Sequence, residues 1–289
     1  MDLFSSSDSD SDSPPLRPKA NGVMAFHAGT EQALLAYLSS AHPEPVEKGR
    51  AQVLLDGVDR YCVERHWMMH VGDGKSRILR DALALAVEGF TSRLETKKGT
   101  AARDSRTTFR VLELGTYCGY SAVKMALYLS ELLPPGVEVR VHSIEIDPAN
   151  AAVAREVVRL AGMEDVVEVM VEGSVERGVE KARASSGEAA VEFGAVFIDH
   201  DKDDYLSDLL SLLSLSPKVL PPGSVVIADN VLMGRIDDYR DYVGEEAKRE
   251  GGAFKSTELM MGRIEYSEPD GDVYGEGEME DGVEVSVVR

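Results

Sequence analysis

The sequence predicts an α/β domain on a mostly parallel seven-stranded sheet, preceded by helices and closed by an antiparallel hairpin. Three observations carry that expectation. From Phe109 onward, five short β-branched runs alternate with helical stretches, a pattern that implies right-handed crossovers and a sheet covered on both faces. Two further strand-like runs then follow with no helix between them. The 289 residues, 43% of them hydrophobic, are ample for one large buried core or two small ones.

In chain order, Ser5–Ser13 reads SSSDSDSDS and runs into two prolines, a composition that buries too little apolar surface to offset its ordering entropy. Residues 1 to about 27 are therefore expected to be a disordered tail, and 28–289 the domain. Glu31–Ser39, Val46–His66 and Lys75–Phe90 place apolar residues three and four apart and predict helices. Thr91–Thr108 is polar, basic and glycine-containing, which predicts a surface insertion. The expected strands of the alternating region are Arg110–Leu114, Val139–Ile146, Val166–Val171, Ala195–Asp199 and Ser224–Asp229. Its helices are Ser121–Leu133, Pro148–Leu160, Val175–Ser185, Tyr205–Leu215 and Ile236–Arg249. Leu259–Tyr266 and Val283–Val288 make the hairpin, joined by an acidic, glycine-rich loop. No internal repeat is present.

Composition excludes several classes of function. The chain carries 51 Asp and Glu against 31 Lys and Arg, a formal charge of −20, and residues 265–289 hold nine acids against Arg289 alone. Such a surface is repelled by phosphate backbones, so no nucleic-acid partner is expected. Cys62 and Cys118 make neither a multi-bridge framework nor a paired Cys-x-x-Cys metal site, which suits a reducing compartment. There is no apolar run of about 18 residues and no apolar core near the N-terminus. No membrane span and no ordinary secretory signal are expected, and the expected location is cytoplasmic.

Chemistry concentrates at the ends of the expected strands. Val111–Ser121 reads VLELGTYCGYS: a strand, a tight turn and a helix start, with glycines at 115 and 119 that let a ligand approach the backbone and Ser121 as a cap. Its Gly-x-x-x-Gly spacing falls short of the full Gly-x-Gly-x-x-Gly, so by itself it fits a structural turn as well as a cofactor turn. The second strand ends Ser143-Ile-Glu145-Ile-Asp147-Pro148. An acid at that tip can accept both hydroxyls of a ribose, as at a switch point binding a dinucleotide or S-adenosylmethionine. Asp147 reads as the cap of the helix that starts at Pro148.

The fourth strand ends in Asp199-His200-Asp201-Lys202 and the fifth in Asp229-Asn230. If the two strands are neighbours, Asp199 and Asp229 emerge at one edge of the sheet, where a divalent cation would relieve their repulsion. Two carboxylates and an amide are hard oxygen ligands that suit Mg²⁺ or Ca²⁺, and three protein ligands leave positions for substrate and water. The bland alternative is that the acids cap the following loops. Lys202, three residues past Asp199, has the reach of a general base, although a lysine there also fits an ordinary surface position.

These stretches together resemble the catechol O-methyltransferase family. The resemblance is carried by Trp67-Met-Met69-His-Val71-Gly72-Asp73, Glu113-Leu-Gly-Thr-Tyr117-Cys118-Gly-Tyr-Ser121, Ile144-Glu145-Ile146, Asp199-His200-Asp201-Lys202 and Asp229-Asn230, five motifs in family order from about Thr30 to the end. It implies a Rossmann-like methyltransferase fold, S-adenosylmethionine as cofactor and Mg²⁺ as metal. By the same resemblance, the metal ligands fall on Asp199, Asp229 and Asn230, and the catalytic base on Lys202. The cofactor's ribose falls on Glu145, its methionine end near Val71, Gly115, Tyr117 and Ser121, and its adenine near Ile146, Ser174 and His200. Glu113 and Asp199 complete that cofactor set. Glu265 matches an acid that binds the second catechol hydroxyl, Trp67 and Met69 match walls of the catechol pocket, and Asn230 and Lys202 also face the substrate.

Four departures bear on the acceptor. Asp201 stands where animal enzymes of the family have a second gating tryptophan, and Met233-Gly234 replaces a gating proline. His70 replaces an asparagine, and Val175 a glutamine near the adenine. Asp199–Tyr205 also resembles the Asp-x-Asp-Lys-Asp-Asn-Tyr stretch of caffeoyl-CoA O-methyltransferases, which take a bulkier substrate. The expected activity is methyl transfer to a catechol or related phenol. The competing readings are that bulkier vicinal-diol phenol, a nicotinamide-dependent dehydrogenase, disfavoured by the missing third glycine, and a non-catalytic relic, disfavoured by the intact ligand and lysine positions.

Overall fold

A computed structural model describes residues 29–65, 68–97, 107–188, 190–263 and 280–289. Helices α1 (Thr30–Ala41), α2 (Ala51–Glu64) and α3 (Gly72–Lys97) precede the sheet. The alternating region is β1 (Thr107–Leu114), α4 (Tyr120–Leu132), β2 (Val137–Glu145), α5 (Pro148–Leu160), β3 (Val167–Val171), α6 (Val175–Ser186), β4 (Ala195–Ile198), α7 (Tyr205–Ser214), β5 (Val225–Ala228) and α8 (Asp237–Lys248). β6 (Phe254–Arg263) and β7 (Glu280–Val288) close it. The seven strands lie in the order β3-β2-β1-β4-β5-β7-β6. β1 to β5 pair in parallel, and β7 runs antiparallel to both β5 and β6.

β4 and β5 are buried along their whole length, which is why AVFI and VVIA read as continuous apolar runs rather than alternating ones. Alternation decides which face each side chain supplies. Val111, Val141, Ala195 and Val225 join one core layer with α1 to α5. Leu112, Ile144, Val196 and Val226 join the other with α6 to α8. Each fully buried Val, Leu or Phe contributes about 1.5–3 kcal/mol, so two complete layers hold the strand ends in fixed register. α5 starts as expected: Pro148 occupies the first turn and the Asp147 carboxylate accepts from Ala149 N at 2.7 Å.

Three expectations need correction. Thr91 to Lys97 continue α3 instead of opening an insertion, with Thr91 and Thr96 hydroxyls bonded back to Val87 O and Ser92 O, and Thr107 and Thr108 already belong to β1. Polar side chains on the outer face of a long helix look like loop in sequence; residues 98–106 lie outside the described residues. β6 begins at Phe254, five residues before the expected Leu259, because an edge strand alternates little in burial. Ile264 to Tyr266 lie outside the described residues, as does the tail expected over 1 to about 27. The helix expected from Val46 begins at Ala51, after a 3₁₀ turn over Lys48–Arg50. Among the described residues no helix is long and apolar enough to cross a membrane.

Candidate active site

The strand order reverses between β1 and β4, so the crevice outside their C-terminal ends is the place for a ligand. There the two strand ends press together. Gly115 has φ +96°, and a Cβ on it would lie 2.3 Å from Asp199 O, so only glycine fits. A cleft of about 570 Å³ opens at this point, a volume typical of small-molecule sites. Of the residues singled out in the sequence, Met69, Val71, Gly115, Tyr117, Ser121, Glu145, Ile146, Ser174, Asp199, His200, Lys202, Asp229 and Asn230 all line it. Trp67 and Glu265 lie outside the described residues.

Glu145, at the tip of β2, is nearly buried; its Oε2 accepts from Tyr117 N at 2.8 Å and its Oε1 from Asp147 N at 2.9 Å. Burial pushes its pKa up, against these bonds. Glu113 is placed differently from its expected role. It is fully buried under the cleft wall, where Ser121 Oγ donates to its Oε1 at 2.5 Å and Ser143 Oγ donates to its Oε2. Ser121 accordingly does not cap α4, whose N-cap is Gly119 at φ +83°. Desolvation pushes the Glu113 carboxyl up to about 8, the two serine bonds opposing. His200 stacks on Tyr205 with centroids 5.2 Å apart and bonds Asp208 through Nε2 at 2.8 Å. Its buried Nδ1 has no hydrogen-bond partner among the described residues. His70 Nε2 lies 3.0 Å from Asp59 and its Nδ1 2.9 Å from Met68 O, with both nitrogens facing acceptors. Burial opposes its charge, yet these bonds and Cys62 push it up to about 10.

At the acidic end, Ile198 pairs with Ala228, so Asp199 and Asp229 follow on adjacent strands. Lys202 Nζ lies 3.0 Å from Asp199 Oδ1 and 2.5 Å from Tyr205 OH, which in turn donates to Asp229 O at 3.0 Å. Gly234 makes room for the lysine stem: a Cβ there would lie 3.1 Å from Lys202 Cγ and 2.8 Å from Asn230 O. Asp229 Oδ1 accepts from Lys75 Nζ and from Asn230 N, both at 2.8 Å. Desolvation raises the Asp229 carboxyl, Lys75 opposes, and Asp199 adds to the rise. Asn230 sits at φ +59° and gives its Nδ2 to Asp281 Oδ2 at 2.8 Å, which turns its Oδ1 away from Asp281.

Two carboxylates and an amide oxygen are a hard-donor set that fits Mg²⁺ or Ca²⁺. Among the described residues no group of three His, Cys, Asp or Glu side chains forms a metal cluster; the set expected from the sequence includes the Asn230 amide, which lies outside those residue types. Lys75, Tyr205 and Asp281 escaped the sequence reading. Only Tyr205 carried a signal there, as the last residue of the Asp199–Tyr205 stretch.

An open α/β sheet of this strand order, with an acid at the tip of β2 and a cleft at the switch point, has the layout of a nucleoside-binding fold. Residues 106–248 match the model of a family described as O-methyltransferase. Catechol O-methyltransferase B of Danio rerio is 34% identical over 284 residues, 94% of this chain and 90% of that protein. Catechol O-methyltransferase of Mus musculus is 35% identical over 213 residues, 74% of this chain and 67% of that protein. The O-methyltransferase from Bacillus cereus, solved in complex with SAH, superposes with a TM-score of 0.50 at 19% identity, over 89% of this chain and 97% of that one, and shares the fold. The chain belongs to the O-methyltransferase family, with catechol O-methyltransferases among its relatives.

Proposed function

We propose that the protein transfers a methyl group from S-adenosylmethionine to one hydroxyl of a catechol-type substrate, with Mg²⁺ held by Asp199, Asp229 and Asn230. The observation that carries this reading is the Lys202–Asp199 pair beside Asp229 and Asn230 in the same cleft as Glu145. The curated relatives' names support the catechol class. Bound S-adenosylmethionine supplies an electrophilic methyl, and a bound divalent cation lowers the pKa of a coordinated hydroxyl.

The chain's own residues do the rest. Glu145 offers an acceptor pair for ribose hydroxyls, oriented by the Tyr117 and Asp147 amides. Lys202 is the proposed base. Two of its three amine positions are engaged as donors by Asp199 and Tyr205, so in its neutral form the amine would take the acceptor's proton on the lone pair at the third. Most of the acceleration comes from holding two reactants in line, which the paired strand ends and the Gly115 turn make rigid. Glu265 and Trp67 keep the roles the resemblance gives them, holding the second hydroxyl and walling the acceptor.

The test is labelled methyl transfer from S-adenosylmethionine to a panel of catechols, monophenols and phenolic CoA thioesters, with Mg²⁺ and with a chelator. Catechols should be methylated only with Mg²⁺ present. Undiminished transfer in chelator would overturn the metal assignment, equal transfer to monophenols the vicinal-diol requirement, and preference for the thioesters the catechol class.

A further inference from the structure

Asp281, near the start of β7, is an acid with no solvent contact. Its Oδ1 accepts from the backbone N–H groups of Gly282 at 2.7 Å, Met233 at 3.0 Å and Leu232 at 3.2 Å. Its Oδ2 accepts from Asn230 Nδ2 at 2.8 Å and lies 3.9 Å from Lys75 Nζ. Lys75 is itself buried and bonded to Asp229, and its stem is clamped by Gly262, where a Cβ would fall 2.7 Å from Lys75 Cγ. A buried ion pair of this kind commonly adds no more stability than apolar side chains of similar volume, so its presence asks for a second role.

The role follows from donor chemistry. A carboxylate can only accept, whereas an asparagine amide has one accepting and one donating end. Asp281 therefore forces Asn230 to face it with Nδ2, and Oδ1 is left as the end available to a cation. The bonds to Leu232 and Met233 fix the backbone of the same turn, which Asn230 enters at φ +59°. Lys75 ties the adjoining Asp229 to the same acid.

We propose that Asp281, with Lys75 as its countercharge, is a positioning residue that sets the rotation of the Asn230 amide and thereby presents one of the three proposed cation ligands in advance. This rests on the cation reading above. The experiment is calorimetric titration of the full chain with Mg²⁺ alone, and separately with S-adenosylmethionine. Asp281→Asn turns an amide nitrogen toward Asn230 and flips its amide, so Mg²⁺ affinity should fall at least tenfold, with cofactor affinity within twofold. Adding Asn230→Asp to Asp281→Asn supplies an oxygen at both ends again and keeps the charge, so Mg²⁺ affinity should return to at least the wild-type level. The paired variant has complementary hydrogen bonds and carries the test if the single one fails to fold. Equal Mg²⁺ affinity of Asp281→Asn and wild type, or a folded double variant that binds no better than the single one or does not bind at all, overturns the proposal. Absence of Mg²⁺ uptake by the wild-type protein overturns the cation reading itself.

Discussion

Replacing Tyr205 by phenylalanine should lower turnover about 10- to 100-fold while leaving KM for the cofactor unchanged. Tyr205 is fully buried; its hydroxyl receives a hydrogen bond from Lys202 Nζ at 2.5 Å and donates one to Asp229 O at 3.0 Å. A bond to a charged group contributes about 1.5–3 kcal/mol, and one between neutral groups about 0.5–1.5 kcal/mol. Phenylalanine removes both, strips the Asp229 carbonyl of that donor, and leaves Lys202 on its four-carbon stem with the Asp199 bond and the contact of its amine with the ring, 4.7 Å from the centroid. If about 1.4–2.8 kcal/mol of that positioning is expressed in the transition state, the rate falls by the stated one to two powers of ten. The phenol itself is no rival base, because burial, with Asp199 and Asp229 nearby, holds it well above its ordinary pKa. The assay is kcat and KM for the cofactor at saturating catechol, with urea unfolding as a control for an expected stability loss of about 1–3 kcal/mol. A kcat within twofold of wild type, beside a measurable stability loss, would refute the idea that this hydroxyl orients Lys202.

Two further outcomes concern pH. His70 is raised to about 10 in the fold, so its contribution to stability is full below its unfolded value and is lost as pH rises through about 10. Wild type should lose about 3–4 kcal/mol relative to His70→Asn between pH 6 and 9.5, read from urea midpoints; parallel curves would remove the charged imidazole. Glu113, raised to about 8, is an acid that holds its proton longer in the fold, so its contribution also falls as pH rises from its unfolded value through about 8. Relative to Glu113→Gln, wild type should lose about 2–3 kcal/mol between pH 6 and 9, and a constant difference would mean that the carboxyl is ionised throughout.

What the sequence made legible was local. The boundaries of α5 coincide with the expected Pro148–Leu160 because Asp147 and Pro148 carry the start signal within two residues. Asp199 and the Asp229-Asn230 pair were visible because each follows a short apolar run that, bounded by turn residues, reads as a buried strand, and the strands proved to be neighbours. Lys75 was invisible for the opposite reason: its partner Asp229 is 154 residues away, and in its own helix it reads as one more polar residue. Asp281 was counted among nine acids of the closing segment and looked like solubility, although it is fully buried. Ser121 shows a subtler failure. A serine at a helix start suggests a cap, but a buried carboxyl group eight residues upstream competes for the same hydroxyl and wins.

The placement of β7 has a consequence for the order in which the protein is made. β7 is inserted between β5 and β6, yet it is synthesised after both. A nascent chain that has already emitted Asp199, Lys202, Asp229 and Asn230 still lacks the carboxylate that receives the Leu232 and Met233 amides and the Asn230 side chain. Until that strand slots in, β5 has an open edge, and the turn beside the cleft has donors without their acceptor. The turn beside the cleft is therefore completed only after the strands and ligand-bearing residues that precede β7 have been synthesised.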